Sequence, residues 1–417
     1  MADQDLDQIV ARMSQAKVSR RGFLAASGLT GVSAFLAACS GGGASSAPSS
    51  AAASAAPSAS QSAAASAAVS AAPSGPIGGT GTTEGAFYLY NWADYTDLKN
   101  IETFKKNYGI TDWSYDTFAS NDEMITTLQG GKLGQFDVSA PTADLVPTLV
   151  SGKFIQKIDW SKIPNAKYLN PAFANQWWDP AGEYTLAKDW GTTGMTIRTK
   201  VVTEPVKTWK TFFELASKYT GRVIAVNSQI DVFSGALKAL GYSVNEEDSG
   251  HLEEMRQLLL KWAPHLLGLN SDTYEVPLGN EEAVMGLTWT GGVSDLRKDP
   301  KTADTQYIIP DDGTLYWVDT WVILDDAPHP IASHAWLNFM YDPQINAIET
   351  ETNQYATPND EARKYISAAT LNDPTIFIPD AVLASGVSSG KLEVAKDWSA
   401  NNQRQDIWAE FSAKVGK

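Results

Sequence analysis

Between Ser40 and Thr83 this chain carries no charged residue and almost nothing large and apolar. A stretch of Ser, Ala, Gly and Pro cannot bury enough surface to offset its ordering entropy, so it is expected to stay disordered. Whatever the chain folds into must therefore be built from Glu84–Lys417, 334 residues. That length suffices for two lobes with separate cores. As a flexible coil the 44-residue spacer has a root-mean-square span on the order of 36 Å.

The residues ahead of the spacer give it a purpose. Ser19-Arg20-Arg21-Gly22-Phe23-Leu24 opens a weakly apolar run that ends at Ala38. The run is about 17 residues, interrupted by Gly and Ser, too short and too polar for a stable membrane span. Arg20 and Arg21, with Phe and Leu behind them, resemble a twin-arginine export signal, and Leu36-Ala37-Ala38-Cys39 resembles a lipobox whose Cys39 is acylated. An ordinary N-terminal anchor helix is the plainer alternative. Cys39 is the single cysteine, so no internal disulfide can form, and acylation explains it better than nucleophilic or metal chemistry. The expected organisation is a signal peptide over 1–38, lipidated Cys39 with a linker over 39–83, and a globular part over 84–417. The chain would leave by the twin-arginine route and stay lipid-anchored to the outer face of the cytoplasmic membrane, in the periplasmic space.

The whole chain has net charge −16 and pI near 4.7. Such acidity argues against nucleic acid, whose phosphates call for Lys and Arg stripes, and favours the approach of cations. The four histidines, His251, His265, His329 and His334, show no metal-ligand or catalytic spacing. Gly130-Gly131-Lys132 lacks the spacing of a phosphate-binding loop. No cofactor, metal or catalytic set is expected, and the chain is read as a monomer.

Along the globular part strands and helices alternate. Ala86–Tyr90, Asp112–Phe118 and Phe136–Ser139 read as strands. Leu98–Asn107 reads as a helix closed by Gly109, Asn121 as the cap of a helix stopped by Gly130-Gly131, and Ala143–Val150 as another helix. The alternation resumes after Asp189, with later helices that include Ile331–Tyr341, Glu361–Ala368 and Gln403–Val415. This order predicts an α/β fold of two lobes with mixed, mostly parallel sheets and hinge crossings. Lobe 1 is expected over about 84–190 and 316–362, and lobe 2 over about 194–313 and 366–417. Crossings are expected near Trp190–Gly194, Gly313–Leu315 and Glu361–Ala368. Ligands of such sheets bind in loops at the carboxyl ends of strands.

Two of the motifs carry recognisable chemistry. Tyr90-Asn91-Trp92-Ala93-Asp94-Tyr95 lies at the carboxyl end of the first strand. Trp317-Val318-Asp319 lies within a strand, so its ring and carboxylate project to one side. A carboxylate takes the charged hydrogen bonds of an alkylammonium, and the ring face takes the cation and its methylenes. A buried Trp beside a surface Asp is the duller alternative.

These motifs fall into a longer order. After Asn91-Trp92-Ala93-Asp94-Tyr95 come Ser120-Asn121-Asp122-Glu123-Met124, Phe136-Asp137-Val138 and Asp231-Val232-Phe233. Asn270-Ser271-Asp272, Gly286-Leu287-Thr288-Trp289, Tyr316-Trp317-Val318-Asp319 and Tyr355-Ala356-Thr357-Pro358-Asn359 follow. The series resembles the polyamine-binding proteins of spermidine/putrescine ABC importers over essentially all of 84–417. The resemblance implies a two-lobe, type II periplasmic-binding-protein-like fold that closes on a polyamine and delivers it to an ABC permease. It places Trp92, Asp94, Tyr95, Asp231, Ser271, Trp289, Trp317, Asp319 and Tyr355 around the ligand. Capping is the plainer role for Asp231 and Ser271, and packing for Tyr355 and Trp289. The chain also departs from the pattern. Ser228 and Gly292 stand where spermidine-type and putrescine-type relatives carry an acid, while Asp144 offers a carboxylate that relatives lack, or else serves as a first-turn helix acid.

A desolvated cation–π contact contributes roughly 2 kcal/mol, and a hydrogen bond to a charged group roughly 1.5–3 kcal/mol. Two ammonium groups, each with a ring and a carboxylate, reach micromolar affinity, near −8 kcal/mol, after ordering and desolvation. The alternatives are the same fold holding another organic cation or an amino-acid-like solute, and an exported enzyme. An anionic cargo calls for an Arg or Lys in the cleft, and the matched positions contain neither.

Overall fold

The computed structural model describes residues 76–398 and 401–417, so Arg20, Arg21 and Cys39 lie outside the described residues. In chain order the strands are β1 (Ala86–Trp92), β2 (Asp112–Phe118), β3 (Val138–Ser139), β4 (Ile155–Gln156), β5 (Leu186–Thr192), β6 (Gly194–Arg198), β7 (Val223–Ala225), β8 (Leu266–Leu269), β9 (Met285–Thr288), β10 (Thr305–Ile308), β11 (Thr314–Leu324) and β12 (Leu392–Glu393). One sheet runs β12-β11-β3-β1-β2, with β4 and β5 also pairing with β11; the other runs β10-β6-β9-β7-β8. Strands of the β–α alternation pair in parallel, as β1 does with β2 and β3 and β7 with β8 and β9. The strands that pass between lobes pair antiparallel: β5 with β11, and β6 with β9 and β10. Antiparallel ladders are thus as numerous as parallel ones, more than β–α alternation alone suggests.

The first helix, Leu98–Tyr108, shows how local sequence sets these elements. The Asp97 carboxylate accepts the Lys99 N–H at its start, and Gly109 ends it at φ 69°, the left-handed conformation that costs glycine nothing. Ile101, Phe104 and Tyr108 fall on its buried face and pack with Phe87 and Trp336. The second lobe has its own core around Trp209, Phe212, Trp262 and Phe411. Between the lobes β11 alternates: Tyr316 and Val318 join a first-lobe core, while Leu315 and Trp317 join that of the second. One strand therefore couples both cores, and its pleat sends alternate side chains each way.

Several expectations are corrected. The spacer does not stay loose as far as Thr83. Asn107 donates to the carbonyls of Ile77 and Gly79, and the Tyr108 hydroxyl to that of Gly78 at 2.9 Å. Gly78 sits at φ 80° where a Cβ would lie 2.3 Å from the Phe339 ring, so a glycine lets backbone close on the helices. The Glu84 carboxylate then accepts the free N–H groups of Ile331 and Ala332, at the start of the Pro330–Met340 helix. Ser120, rather than Asn121, caps the Asn121–Thr127 helix. The helix widens over Leu128–Lys132 and leaves helical geometry at Gly131, φ 92°, so the expected glycine stop is kept. No helix spans Glu361–Ala368: a 3-10 turn at Ala362–Lys364 precedes a short helix at Ala368–Leu371, with Ile366 turned into the core between them. Ile366, Ile376, Phe377, Ile378 and Leu392 pack with Tyr90 and Tyr316 in the first lobe, not the second, and the chain joins the second-lobe core at Ala395. The β5 strand and the Pro343–Asn353 helix are additions to the expected alternation.

Candidate functional site

The loops that follow β1, β3, β7, β8 and β9, with β5 and β11, gather most of the expected site residues between the lobes. Asp319 is buried on β11. Its Oδ2 lies 2.5 Å from the Tyr95 hydroxyl, and its backbone bridges to Thr142. Burial, and then the neighbouring Asp189, push its carboxyl up to about 7. Trp317, two residues earlier, packs edge-on to Tyr355 with ring centroids 4.9 Å apart. Its indole N–H is buried without a hydrogen-bond partner. Gly191 lies opposite in the ladder, where a Cβ would come within 2.5 Å of the Trp317 ring. Tyr355 also meets the Tyr95 ring at 5.9 Å, and burial raises both phenols well above their usual range.

From the second lobe, Asp231 sits in the first turn of the Gln229–Ala239 helix, 3 % exposed. Its Oδ1 accepts the Trp289 indole N–H at 2.9 Å and the Thr193 hydroxyl. Burial raises its carboxyl too. Trp289, just ahead of the Thr290–Lys298 helix, meets Trp92 of the first lobe at 6.5 Å. The Trp92 indole donates to the Ala140 carbonyl. Asp144, in the turn Ala143–Leu145, has a buried Oδ1 without a hydrogen-bond partner. Burial first, then Asp397, Asp319 and Asp231, hold its carboxyl well above the usual carboxylate range. These carboxyls are close enough to feel one another across the cleft, which is costly unless protons or cations offset them.

Two expected residues are placed differently. Asp94 is exposed, at φ 51° in the turn after β1, so it stands apart from the buried acids. The Ser271 hydroxyl accepts the Asn227 N–H at 3.0 Å and ties two second-lobe loops together. Gly292 has no side chain to offer, yet the buried Glu275 stands against it; a Cβ at 292 would lie 2.9 Å from Glu275 Oε2. An acid thus reaches that neighbourhood from another loop.

Sequence reasoning missed Lys188 and Asp189. The β5–β11 ladder pairs Asp319 with Asp189 and Thr320 with Ala187, so Lys188 is the extra residue of a bulge. Lys188 Nζ lies 2.6 Å from Asp189 Oδ2 and 3.4 Å from the centroid of the Tyr95 ring. Asp189 Oδ1 also meets the Tyr95 hydroxyl. A usable signal was present, namely two opposite charges inside the otherwise apolar stretch Leu186–Thr192, since charges are seldom fully buried unless paired. Among the described residues no group of three or more His, Cys, Asp or Glu is placed to hold a metal ion, and no helix is long and apolar enough to cross a membrane.

Two α/β lobes linked by crossing strands, with acids and rings between them, define the type II periplasmic-binding-protein fold. The chain belongs to the bacterial extracellular solute-binding protein family, which matches residues 99–378; these proteins bind solutes rather than transform them. The spermidine/putrescine-binding periplasmic protein of Escherichia coli is 32 % identical over 299 residues, 70 % of this chain and 83 % of that protein. The substrate-binding protein of a spermidine/putrescine ABC transporter from Streptococcus pneumoniae superposes with a TM-score of 0.64 at 26 % identity, covering 79 % and 99 % of the two chains. A lipoprotein of Treponema pallidum gives 0.67 at 25 %, covering 78 % and 99 %.

Proposed function

We propose that this chain is an extracytoplasmic lipoprotein that captures a polyamine of the putrescine/spermidine class between its lobes and hands it to an ABC importer. The observation that carries the reading is the set of acids, buried Asp231 and Asp319 and half-buried Asp144 with its Oδ1 enclosed, beside the rings of Trp92, Trp289, Trp317, Tyr95 and Tyr355. Lys188, an ammonium near them, is paired with Asp189. Acids that face one another beside aromatic faces suit a ligand carrying two or more ammonium groups on an apolar chain. The relatives named for spermidine and putrescine support the same class. Asp94 contributes from the rim, and Ser271 by holding its loops.

Calorimetric titration of the full chain with putrescine, spermidine, spermine and a panel of amino acids tests this reading. Tight binding of at least one polyamine is expected, and a neutral or anionic compound as the tightest ligand would overturn it. The lipid tether on Cys39 and the twin-arginine route are part of the proposal; the Treponema relative is itself a lipoprotein. Cys39→Ser should release the chain from membranes, and Lys-Lys in place of Arg20-Arg21 should stop export.

A further inference from the structure

The first-lobe acids pose a question of proton count. The Tyr95 oxygen lies within hydrogen-bonding distance of both Asp189 Oδ1 and Asp319 Oδ2, but a phenol carries one proton. One contact is therefore the phenol donating to a carboxylate. The other needs a proton that belongs to the acid, because two oxygens with no hydrogen between them repel. Lys188 breaks the tie. Its ammonium is 2.6 Å from Asp189 Oδ2, with only 2 % of its side chain exposed, which makes Asp189 the ionised member. Tyr95 donates to Asp189, and Asp319 then holds the second proton and donates it to the Tyr95 oxygen.

We infer that Lys188 is a positioning residue that assigns this proton to Asp319, so that an ammonium ligand arriving at Asp319 displaces a proton and capture is coupled to proton release. The inference rests on the polyamine reading of the cleft. Balance is simple: the O–H bond of Asp319 breaks, its proton goes to solvent, and the carboxylate exchanges its contact with the Tyr95 oxygen for a hydrogen bond from the ligand ammonium. Other groups facing Asp319 agree. Asp189 on β5 and Asp144 in its turn are acids and favour the protonated form, and Asp231 at its helix start acts on Asp144. Lys188 opposes it, with Glu349 of the Pro343–Asn353 helix tempering that lysine, while Thr142, Tyr95 and Tyr355 are neutral. The upward shift of the Asp319 carboxyl to about 7 puts the release within the neutral range.

The test is titration of the full chain with putrescine and with spermidine in two buffers of different ionisation enthalpy, at several pH values. The inference expects heats that differ by the buffer's ionisation enthalpy times a released fraction approaching one proton, and affinity falling roughly tenfold per pH unit below about 7. Lys188→Met should move that profile to higher pH, because the acid pair then keeps its proton longer, and Lys188→Arg should restore it. Buffer-independent heats with flat affinity between about pH 6 and about 8 would overturn the coupling while leaving polyamine capture intact. An unchanged profile in folded Lys188→Met would overturn the role of the lysine. Absence of any polyamine heat would instead overturn the reading of the cleft. Should Lys188→Met fail to fold, the two-buffer measurement on the unaltered chain still decides.

Discussion

The two walls of the cleft hold their acids in different ways. On the first-lobe wall, Asp319 and Asp189 share one phenol and lean on a buried lysine. On the second-lobe wall, Asp231 is held by neutral donors, the Trp289 indole and the Thr193 hydroxyl. Neutral donors fix a carboxylate without cancelling its charge, whereas a lysine cancels one charge and leaves its neighbour to titrate. The two ends of a diamine would therefore meet unlike receptors, one whose acid shares a phenol with a lysine-paired neighbour and one whose acid is held by neutral donors alone.

Variants can break or sharpen that contrast. The largest effect is expected from Asp319→Asn, which keeps the shape and removes the charge. It should weaken putrescine binding by about thirtyfold or more, the range for removing one partner of a buried charge pair, roughly 2–5 kcal/mol. Unchanged affinity for every polyamine in a titration would show that this wall does not receive an ammonium. Next comes Trp289→Phe, which keeps a ring but deletes the N–H that Asp231 accepts. A bond to a charged group contributes roughly 1.5–3 kcal/mol, so affinity should drop about tenfold, and more toward low pH, because the Trp289 bond opposes the upward shift that burial gives the Asp231 carboxyl. A loss that appears only above neutral pH would mean that the two walls are not independent.

A third expectation concerns stability. The Asp319 carboxyl sits at about 7 when folded, against about 4 for an unfolded aspartate. Between those values the native state binds more protons than the unfolded chain, so its contribution is fully present at low pH and is lost as pH rises through about 7. Without ligand, the melting temperature should carry a component that declines over that window. Saturating putrescine should remove it, and the difference between the two curves isolates the cleft acids from the rest of the molecule. Identical pH dependence with and without ligand would contradict the picture. The smallest effect is expected for Asp299→Asn, at the end of the Thr290–Lys298 helix and outside the matched set. Affinity should change by less than about twofold, as for most surface charges; a larger loss would point to long-range field rather than contact.

How much of this was legible in the sequence depends on the range of the interaction that decides each feature. Trp317-Val318-Asp319 could be read because period-two alternation is local. The helix at Leu98–Tyr108 could be read because Asp97 and Gly109 mark its ends. Lys188 and Asp189 could not be placed, because their orientation follows from a bulge whose register is set by β11, 130 residues further along. The helix Pro343–Asn353 carries local signals, a capping Asp342 and Pro343 in the first turn. Ile366 lies between two short turns and joins the cluster of the distant Tyr90 and Tyr316, a long-range packing choice that local spacing does not report. The acid near Gly292 comes from Glu275, 17 positions upstream, a substitution in space that no position-by-position comparison reveals.

The docked segment around Gly78 has a mechanical consequence. Because Asn107 and Tyr108 grip the chain there, a pull arriving along the N-terminal chain is delivered to the Leu98–Tyr108 helix and spreads into the first lobe through Phe339. The second lobe carries none of that load directly. On the tethered reading proposed above, the lobe gripped in this way would serve as the fixed jaw and the far lobe as the moving one.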